Sequence, residues 1–352
     1  MIPAVPWARV AASAGLILTL LPSSGCSKTV GQDSLVFLFS TGDRAHLSAV
    51  RFLPDGLHVA TASGDGIIRV WHLPTGRQTA TLASSTPIDS LAVGPGGHVV
   101  LAGNEDGTLA LWDLDSQSLL NHWAGHGGAV HGADISPDGR LAATGSDDGT
   151  AKLWELPSGR QLRTLVGHDS WVGRVTFSPD GTRLLTTGVD STLRVWDVST
   201  GATERVLEGH TAPVRSGVFI GDGTRVLSGG YDQQLRLWDV ATGETRSTMK
   251  GRRGMVYEVS ATPDGQWGVS VNSNASLSLW DLTMGEEVHA YSTPWRPRST
   301  TSCEDVSPDG NWAAAGDWDD SVYVWDLRPA RDAWERSGRR KTDPVRRAEA
   351  GR

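Results

Sequence analysis

The stretch "GHDSWV" at residues 167–172, taken with "TTGVDSTLRVWD" at residues 186–197, holds a histidine, a threonine, an aspartate and a tryptophan in one short unit. The unit recurs on both sides. "GHGGAV" leads to "ATGSDDGTAKLWE" between residues 125 and 155, and "GHTAPV" leads to "SGGYDQQLRLWD" between residues 209 and 239. A unit that recurs at a regular interval indicates a structural repeat. This possibility has to be considered before a catalytic role is assigned to any single copy.

Tryptophans that close the units set the length of the repeat. Five of the six intervals between them are 41 or 42 residues, and the last is 45. Looser copies flank the three clear ones, so the sequence predicts seven copies. The closing tryptophans are Trp71, Trp112, Trp154, Trp196, Trp238, Trp280 and Trp325.

Each copy predicts four short strands separated by turns. In the fourth copy, "GRVTFS" precedes a "PDG" turn at residues 179–181, and "TRLLTTG", "TLRVWDV" and "ERVLEG" follow with further turn residues between them. Alternating apolar residues and β-branched side chains are typical of strands. No helical stretch of the kind that a parallel βαβ fold requires lies between them. The sequence therefore predicts an all-β fold built from radially repeated sheets.

These units resemble WD repeats, and the resemblance covers residues 34–326. It rests on "GH" before a unit, "SPDG" or a variant in the first turn, and "WD" or a variant at the end. The resemblance implies a seven-bladed β-propeller with four-stranded antiparallel blades. The 42 glycines in 352 residues suit a chain with so many turns.

The first copy predicts how the ring closes. "STGD" stands where later copies have "LVGH", with Asp43 in the histidine register, and the strand at residues 34–39 precedes it. No strand pattern follows Asp326. We expect the N-terminal strand to pair with the third strand of the last blade around residues 322–326, which removes an exposed edge. The family closes its propellers in this way.

Histidine, hydroxyl, aspartate and tryptophan form a structural hydrogen-bonded tetrad in WD-repeat proteins. The resemblance carries this role to three copies here. A hydrolase triad is the alternative for the same residue types, but three near-identical sets and the absence of a "GxSxG" motif argue against it. The predicted tetrads are His126, Thr144, Asp148 and Trp154; His168, Thr186, Asp190 and Trp196; and His210, Ser228, Asp232 and Trp238.

Four copies lack part of this set. The second and seventh keep the aspartates, Asp106 and Asp319, and we expect the incomplete blades to be held by core packing alone. The altered residues are Ser84 and Ala102 in the second copy, Arg252 and Asn274 in the sixth, and Pro297 and Ala315 in the seventh.

Residues 1–25 are predicted to be a signal peptide, and residues 26–33 a linker. One arginine, a 12-residue apolar run and "PSSGC" follow each other in the order of a secretory signal, and the run is too short to span a bilayer. Cys26 resembles the lipidation site of bacterial lipoproteins, although Ser23 stands where leucine is usual. Ordinary signal peptidase cleavage remains the alternative. We expect an exported protein of the bacterial cell envelope, anchored to the membrane by a lipid on Cys26.

Charge and composition limit the classes of partner that the protein is expected to bind. The net charge is −8, and residues 327–352 carry nine Lys or Arg against four Asp or Glu, so the rest of the chain is more acidic than the total. Nucleic acid is therefore not an expected partner. Residues 327–352 are predicted to form a basic disordered tail with a short helix near Ala333. No metal or cofactor motif is present, and Cys303 is expected to be a buried strand residue.

The predicted function is a non-catalytic scaffold that binds a protein or peptide across the face bearing the tetrad loops. Aromatic and arginine residues are the common anchors of interfaces, and ordinary surface or blade packing is the alternative for each residue chosen here. A monomer is expected. The predicted contact residues are Trp171, Arg215, Tyr231, Arg253, Met255 and Trp318.

Two other functions remain open. An enzyme that uses the central channel should bring several Asp, Glu or His side chains from different blades together at the channel mouth. A sensor or regulatory module would act in trans on a signalling protein, since the chain has no "HRD" or "DFG" kinase motif.

Mass spectrometry of the mature amino terminus tests the predicted export. We expect a chain that begins at a lipid-modified Cys26 in the membrane fraction, because several acyl chains give stable attachment where one is marginal. The variant Cys26→Ala should lose that attachment. An intact Met1, or an unmodified Cys26 in a soluble fraction, would contradict the prediction.

Overall fold

A computed structural model describes residues 35–40, 46–250, 254–273, 276–292, 301–317 and 321–338. Within these segments the chain forms seven four-stranded antiparallel sheets and one helix. The predicted leader with Cys26, and the predicted contact residues Arg253 and Trp318, lie outside the described residues.

Each sheet is one blade of a β-propeller, and the strands follow each other along the chain from the inner to the outer edge. Blade 1 consists of β2 to β5, blade 2 of β6 to β9, blade 3 of β10 to β13, blade 4 of β14 to β17, blade 5 of β18 to β21 and blade 6 of β22 to β25, while blade 7 consists of β26 to β28 and β1. The strands are β1 (Leu35–Ser40), β2 (Leu47–Phe52), β3 (His58–Ser63), β4 (Ile67–His72), β5 (Arg77–Ala83), β6 (Ile88–Val93), β7 (Val99–Asn104), β8 (Thr108–Asp113), β9 (Ser118–Ala124), β10 (Val130–Ile135), β11 (Leu141–Ser146), β12 (Thr150–Glu155), β13 (Arg160–Val166), β14 (Val172–Phe177), β15 (Arg183–Gly188), β16 (Leu193–Asp197), β17 (Thr203–Leu207), β18 (Val214–Ile220), β19 (Arg225–Gly230), β20 (Gln234–Asp239), β21 (Thr245–Lys250), β22 (Val256–Ala261), β23 (Trp267–Asn272), β24 (Ser276–Asp281), β25 (Glu286–Ser292), β26 (Thr301–Val306), β27 (Trp312–Asp317) and β28 (Ser321–Asp326).

The inner strands form a closed ring around a central channel. Each inner strand contacts the inner strand of the next blade, and β26 of blade 7 contacts β2 of blade 1. Antiparallel order places two sets of loops on one face of the ring: the loops that enter the inner strands, and the loops between the second and third strands. We call this face the tetrad-loop face, because the histidines and aspartates of the repeats lie there.

The opposite face carries the "PDG" turns, whose sequence explains their shape. In blade 3, Asp138 accepts hydrogen bonds from the Ser136 hydroxyl at 2.6 Å and from the Arg140 amide at 3.0 Å. Gly139 follows with φ of 72°, a conformation that glycine adopts without steric cost. The aspartate and the glycine together reverse the chain between the first two strands of a blade.

Apolar side chains between neighbouring blades form the core. Trp154 of blade 3, for example, packs with Leu109 and Leu111 of blade 2, and all three are buried. The strand pairing shifts by one residue at the closing tryptophan, for example between Leu153 and Trp154 in the pair β12–β13. The regular tryptophans therefore mark the contacts between blades, and this packing sets the seven-fold arrangement.

Pairing of β1 with β28 confirms the predicted closure. Leu35 pairs with Trp325, and Phe39 pairs with Val322, in an antiparallel ladder. Blade 7 is thus built from both ends of the propeller.

The side chain of Asp305 joins blade 7 to blade 1 on the channel side. The Phe52 amide of blade 1 donates to the Asp305 carboxylate of blade 7 at 2.8 Å. Blades 3 and 4 share the equivalent contact, in which the Phe177 amide donates to Asp134 at 2.7 Å. Burial raises the pKa of Asp134 to about 6, and it raises the pKa of Asp305 as well.

The prediction of a disordered tail from residue 327 onward is wrong for its first part. Residues Arg328–Arg336 form the helix α1, which includes the predicted short helix near Ala333. Trp334 is buried against blades 6 and 7, and its indole N–H donates to Asp281 at 3.0 Å. Arg331 donates to the Gly310 carbonyl at 2.9 Å. Charge counting indicated disorder for most of this segment, whereas one buried tryptophan supplies the apolar contact that holds the helix.

Substituting Trp334 tests this docking. We expect Trp334→Ala to abolish the slow hydrogen exchange of the amides of α1, because large-to-small changes at buried aromatic residues cost about 3–5 kcal/mol. Trp334→Phe keeps most of the apolar contact and should cost less. Trp171→Ala, which removes a half-exposed tryptophan, is the control and should leave α1 protected. Equal exchange of α1 in all variants would contradict the docking.

Candidate functional site

Blade 4 contains one continuous chain of side-chain hydrogen bonds. His168 Nδ1 lies 2.8 Å from Asp190 Oδ2, and its Nε2 lies 2.7 Å from the Thr186 hydroxyl. The Trp196 indole N–H donates to the same hydroxyl at 2.9 Å. The Asp169 amide donates to Asp190 at 3.1 Å, so the aspartate also holds the loop that enters the inner strand.

Blades 3 and 5 repeat this chain. The histidine–aspartate distances are 2.9 Å in both blades, and the histidine–hydroxyl distances are 2.7 and 2.8 Å. The indole–hydroxyl distances are 2.8 Å in both. The residues joined in this way are His126, Asp148, Thr144 and Trp154 in blade 3, and His210, Asp232, Ser228 and Trp238 in blade 5.

One protonation state satisfies every member of the chain. The indole N–H donates to the hydroxyl, the hydroxyl donates to Nε2 of a neutral imidazole, and Nδ1–H donates to the carboxylate. Burial lowers the pKa of His126 and of His210, which favours that neutral form. Burial alone would raise the pKa of Asp148, but hydrogen bonds from Thr150, Gly127 and His126 outweigh it and lower the pKa to about 2. In each tetrad the hydroxyl thus donates its proton to the histidine of the same blade. These hydrogen bonds keep the hydroxyl inside the blade.

Blades with altered residues keep less of the chain. In blades 1 and 6 the tryptophan still donates to a hydroxyl, Trp71 to Thr61 at 3.1 Å and Trp280 to Ser270 at 2.9 Å. Ala102 and Ala315 remove that hydroxyl from blades 2 and 7. Among the described residues, the buried indole N–H groups of Trp112 and Trp325 have no hydrogen-bond partner. Within the described part of the chain, the hydrogen-bond framework is therefore complete only in the three consecutive blades 3, 4 and 5.

A cavity of about 440 Å³ opens at the mouth of the channel on the tetrad-loop face. Arg215, the second residue of β18, lines this cavity. Trp171 and Met255 lie in loops that enter inner strands on the same face, with exposed fractions of 46% and 43%. Tyr231 directly precedes the tetrad aspartate of blade 5, and its ring meets that of Tyr257 edge to face at 5.7 Å. The structure places these four predicted residues on one face.

The sequence analysis did not identify a cluster of one histidine and two aspartates at the mouth. His131 Nδ1 donates to Asp89 of blade 2, and its Nε2 donates to Asp147 of its own blade at 2.5 Å. Burial lowers the pKa of His131, but hydrogen bonds and charges from the two carboxylates outweigh it and raise the pKa above the usual value. Trp171 stacks on the imidazole, with ring centroids 5.6 Å apart. The His131 side chain thus links blades 2, 3 and 4.

Deeper in the channel, charged groups from three blades are paired, and a fourth blade adds a backbone amide. Glu258 of blade 6 accepts from Arg174 of blade 4 and from Arg51 of blade 1, the latter at 3.3 Å. It also accepts from the Glu304 amide of blade 7 at 2.8 Å. Burial, together with the neighbouring charge of Glu258, raises the pKa of the Glu304 carboxyl well above the usual value. This network joins the inner strands of blades 1, 4, 6 and 7 below the mouth.

The position of a residue within its inner strand could have identified several of these residues from the sequence. Asp89, His131 and Tyr257 each follow the first residue of an inner strand, the same place that Arg215 occupies in blade 5. The residues in this register include Asp89, His131, Arg215 and Tyr257. Inner-strand residues point towards the channel by alternation, so this position could have been scanned as a set.

Two further properties bear on the site. No group of three or more His, Cys, Asp or Glu side chains within the described segments is arranged to hold a metal ion. Over the same part of the chain, no helix combines the length and the apolar character needed to cross a membrane.

Removal of a tetrad histidine should destabilise the propeller. We expect His168→Ala to lower the free energy of unfolding by about 1–3 kcal/mol, because the buried hydroxyl and carboxylate lose their partner. The control is His98→Ala, which removes a largely exposed histidine paired with Asp115 and should cost about 0.5 kcal/mol or less. Urea unfolding measures both, and equal values would contradict a structural role for the tetrad.

Comparison with known proteins identifies the repeat. The WD domain, G-beta repeat, matches residues 35–72, 76–113, 117–155, 159–197, 201–239 and 296–326. Each of the first five matches begins on or just before an outer strand and ends at the third strand of the following blade, so the sequence repeat is offset from the blade by one strand. The six matches cover well over half of the chain, and blade 6 lies mainly between the last two.

Curated relatives share parts of this region. Autophagy-related protein 16 of Arabidopsis thaliana is 34% identical over 79 residues, 22% of this chain and 16% of that protein. Transducin-like enhancer protein 2 of Mus musculus is 32% identical over 94 residues, 26% of this chain and 12% of that protein. U3 small nucleolar RNA-associated protein 13 of Saccharomyces cerevisiae is 25% identical over 102 residues, 29% of this chain and 12% of that protein. The chain thus matches well under two thirds of the length of these relatives. Because the repeat matches span most of the propeller, the chain belongs to the WD-repeat family.

Proposed function

We propose that this protein is a non-catalytic scaffold that binds a protein or peptide partner across its tetrad-loop face. The proposal rests on the shape and the exposed side chains of the channel mouth. A cavity of about 440 Å³ opens there, and the exposed Trp171 stacks on His131 of its lining. Met255, also exposed, lies two residues before Tyr257, which lines the same cavity. Exposed aromatic and flexible apolar side chains around a concave surface are the usual anchors of a protein interface.

The chemistry of the mouth favours binding over catalysis. Carboxylates and a histidine from different blades do converge there, which the enzyme alternative requires. Both nitrogens of His131 are bonded to carboxylates, however, so it has no free lone pair with which to act as a base. The nearby hydroxyls of Ser48 and Ser90 donate to backbone carbonyls at 2.6 and 2.7 Å. No activated nucleophile is assembled in the described part of the mouth.

The finer parts of the proposal come from the sequence. The leader order and Cys26 support a location in the bacterial cell envelope with a lipid anchor. Closure of the ring by β1 supports a monomer, because the chain's own strand completes blade 7 and no strand from a second copy is needed. A regulatory role in trans uses the same binding face, and the identity of the partner decides between a scaffold and a regulator.

Alanine substitution on the two faces tests the proposal. We expect Trp171→Ala and Tyr231→Ala each to weaken capture of partner proteins from extracts of the source cells by about tenfold, since interface anchors typically contribute more than 1 kcal/mol. The matched control is Leu57→Ala, an apolar side chain that is 49% exposed on the opposite face. Quantitative mass spectrometry of the captured proteins measures the effect.

The control variant should capture the same proteins as the wild type. Captured proteins that bind all variants equally would place the site elsewhere on the propeller. Thermal unfolding of each variant confirms that a loss of binding does not come from a loss of fold.

A further inference from the structure

Arg215 differs from the other arginines that line the mouth. Arg51 and Arg174 both pair with Glu258. The Arg215 side chain is half-buried in the cavity wall, and no carboxylate of the described residues lies within ion-pair distance of it. A half-buried guanidinium without an anion has lost part of its hydration and has gained no partner in return.

Tyr257 lines the same cavity as Arg215, and Tyr231 contacts Tyr257. The rings of Tyr231 and Tyr257 meet edge to face, with centroids 5.7 Å apart. Burial raises the pKa of Tyr257, the neighbouring Tyr231 raises it further, and the charge of Arg215 offsets part of the rise. The phenol of Tyr257 therefore keeps its proton near neutral pH and remains a hydrogen-bond donor. This side of the mouth presents a positive charge together with hydroxyl donors.

The far side of the mouth is acidic and limits the charge that a ligand can carry. Asp89 and Glu105 line the same cavity, and Glu258 lies on its floor. Asp89 is neutralised by His131, whereas the exposed Glu105 makes no ion pair with the described residues. A doubly charged phosphate group would be repelled by these carboxylates and by a chain of net charge −8. A singly charged carboxylate matches the single unpaired guanidinium.

We propose that Arg215, assisted by Tyr231 and Tyr257, is the seat for one aspartate or glutamate side chain of the partner. This inference rests on the proposed function, because it names the chemistry that the tetrad-loop face selects. The guanidinium offers two parallel N–H donors to the two carboxylate oxygens, and a tyrosine hydroxyl can donate to either oxygen. A cavity of about 440 Å³ takes one or two side chains, so the rest of the peptide lies across the mouth towards Trp171.

Immobilised peptide libraries test the seat directly. Each library has random flanking residues and one fixed central residue: aspartate or glutamate, asparagine or glutamine, phosphoserine, or lysine. A further pair of libraries differs only at the carboxyl terminus, which is free in one library and amidated in the other. Binding is measured for the wild type, Arg215→Gln, Arg215→Lys and Arg77→Gln, the last being an exposed arginine on the outer strand β5 and the matched control.

We expect the wild type and Arg77→Gln to bind the Asp/Glu library about tenfold or more tightly than the Asn/Gln library. Arg215→Gln should lose this difference while binding the Asn/Gln library as the wild type does. Arg215→Lys should recover only part of it, because an ammonium lacks the planar pair of donors. Circular dichroism checks that each variant is folded.

Other outcomes would overturn the seat in distinguishable ways. Equal selection by the wild type and Arg215→Gln would place the anion site elsewhere, and preference for phosphoserine would show a phosphate site. Dependence on a free carboxyl terminus would show recognition of the chain end in place of a side chain. Peptide binding without acidic selection would refute the seat and leave the proposed function standing. Absence of any peptide binding would count against both.

Discussion

The pairing of β1 with β28 is the constraint on which the rest of the structure depends. A propeller is held together only when its last blade is joined to its first, and here the two ends of the ring share one sheet. The Asp305–Phe52 hydrogen bond fastens the same junction from the channel side, between β26 and β2. Closure brings seven inner strands around one axis, and it thereby creates the channel mouth. Every contact between charged groups of distant blades follows from that geometry.

Hydrogen bonding inside the blades turns this ring into a platform with fixed loops. The complete histidine–aspartate chains occupy three consecutive blades, and the residues offered to a partner are attached to them. Tyr231 directly precedes Asp232, and Trp171 follows His168 by three positions. A binding residue held next to a buried, fully bonded framework loses little conformational freedom on binding. In the proposed function, the residues that resemble a catalytic triad therefore act by positioning their neighbours.

Some charged groups at the mouth are paired with each other, whereas the guanidinium of Arg215 has no carboxylate partner among the described residues. His131 is enclosed by two carboxylates, and Glu258 is enclosed by two arginines. Paired groups of this kind stabilise the arrangement of the blades but are not available to a ligand. Arg215 has no such partner among the described residues, so it can contribute its full hydrogen-bonding capacity to a bound anion. Specificity at a half-buried site depends on this difference between satisfied and unsatisfied charges.

The sequence by itself determined the number of blades, the strand that closes the ring and the members of each tetrad. These features repeat at a fixed interval, so each copy supports the interpretation of the others. Only the tertiary structure decided which residues meet across blades. His131 contacts Asp89 42 positions away, and Arg51 contacts Glu258 207 positions away. Trp334 docks α1 on Asp281, although its segment has the composition of a disordered tail. Such contacts depend on ring closure and on single buried side chains, and a pattern of local periodicity carries no information about either.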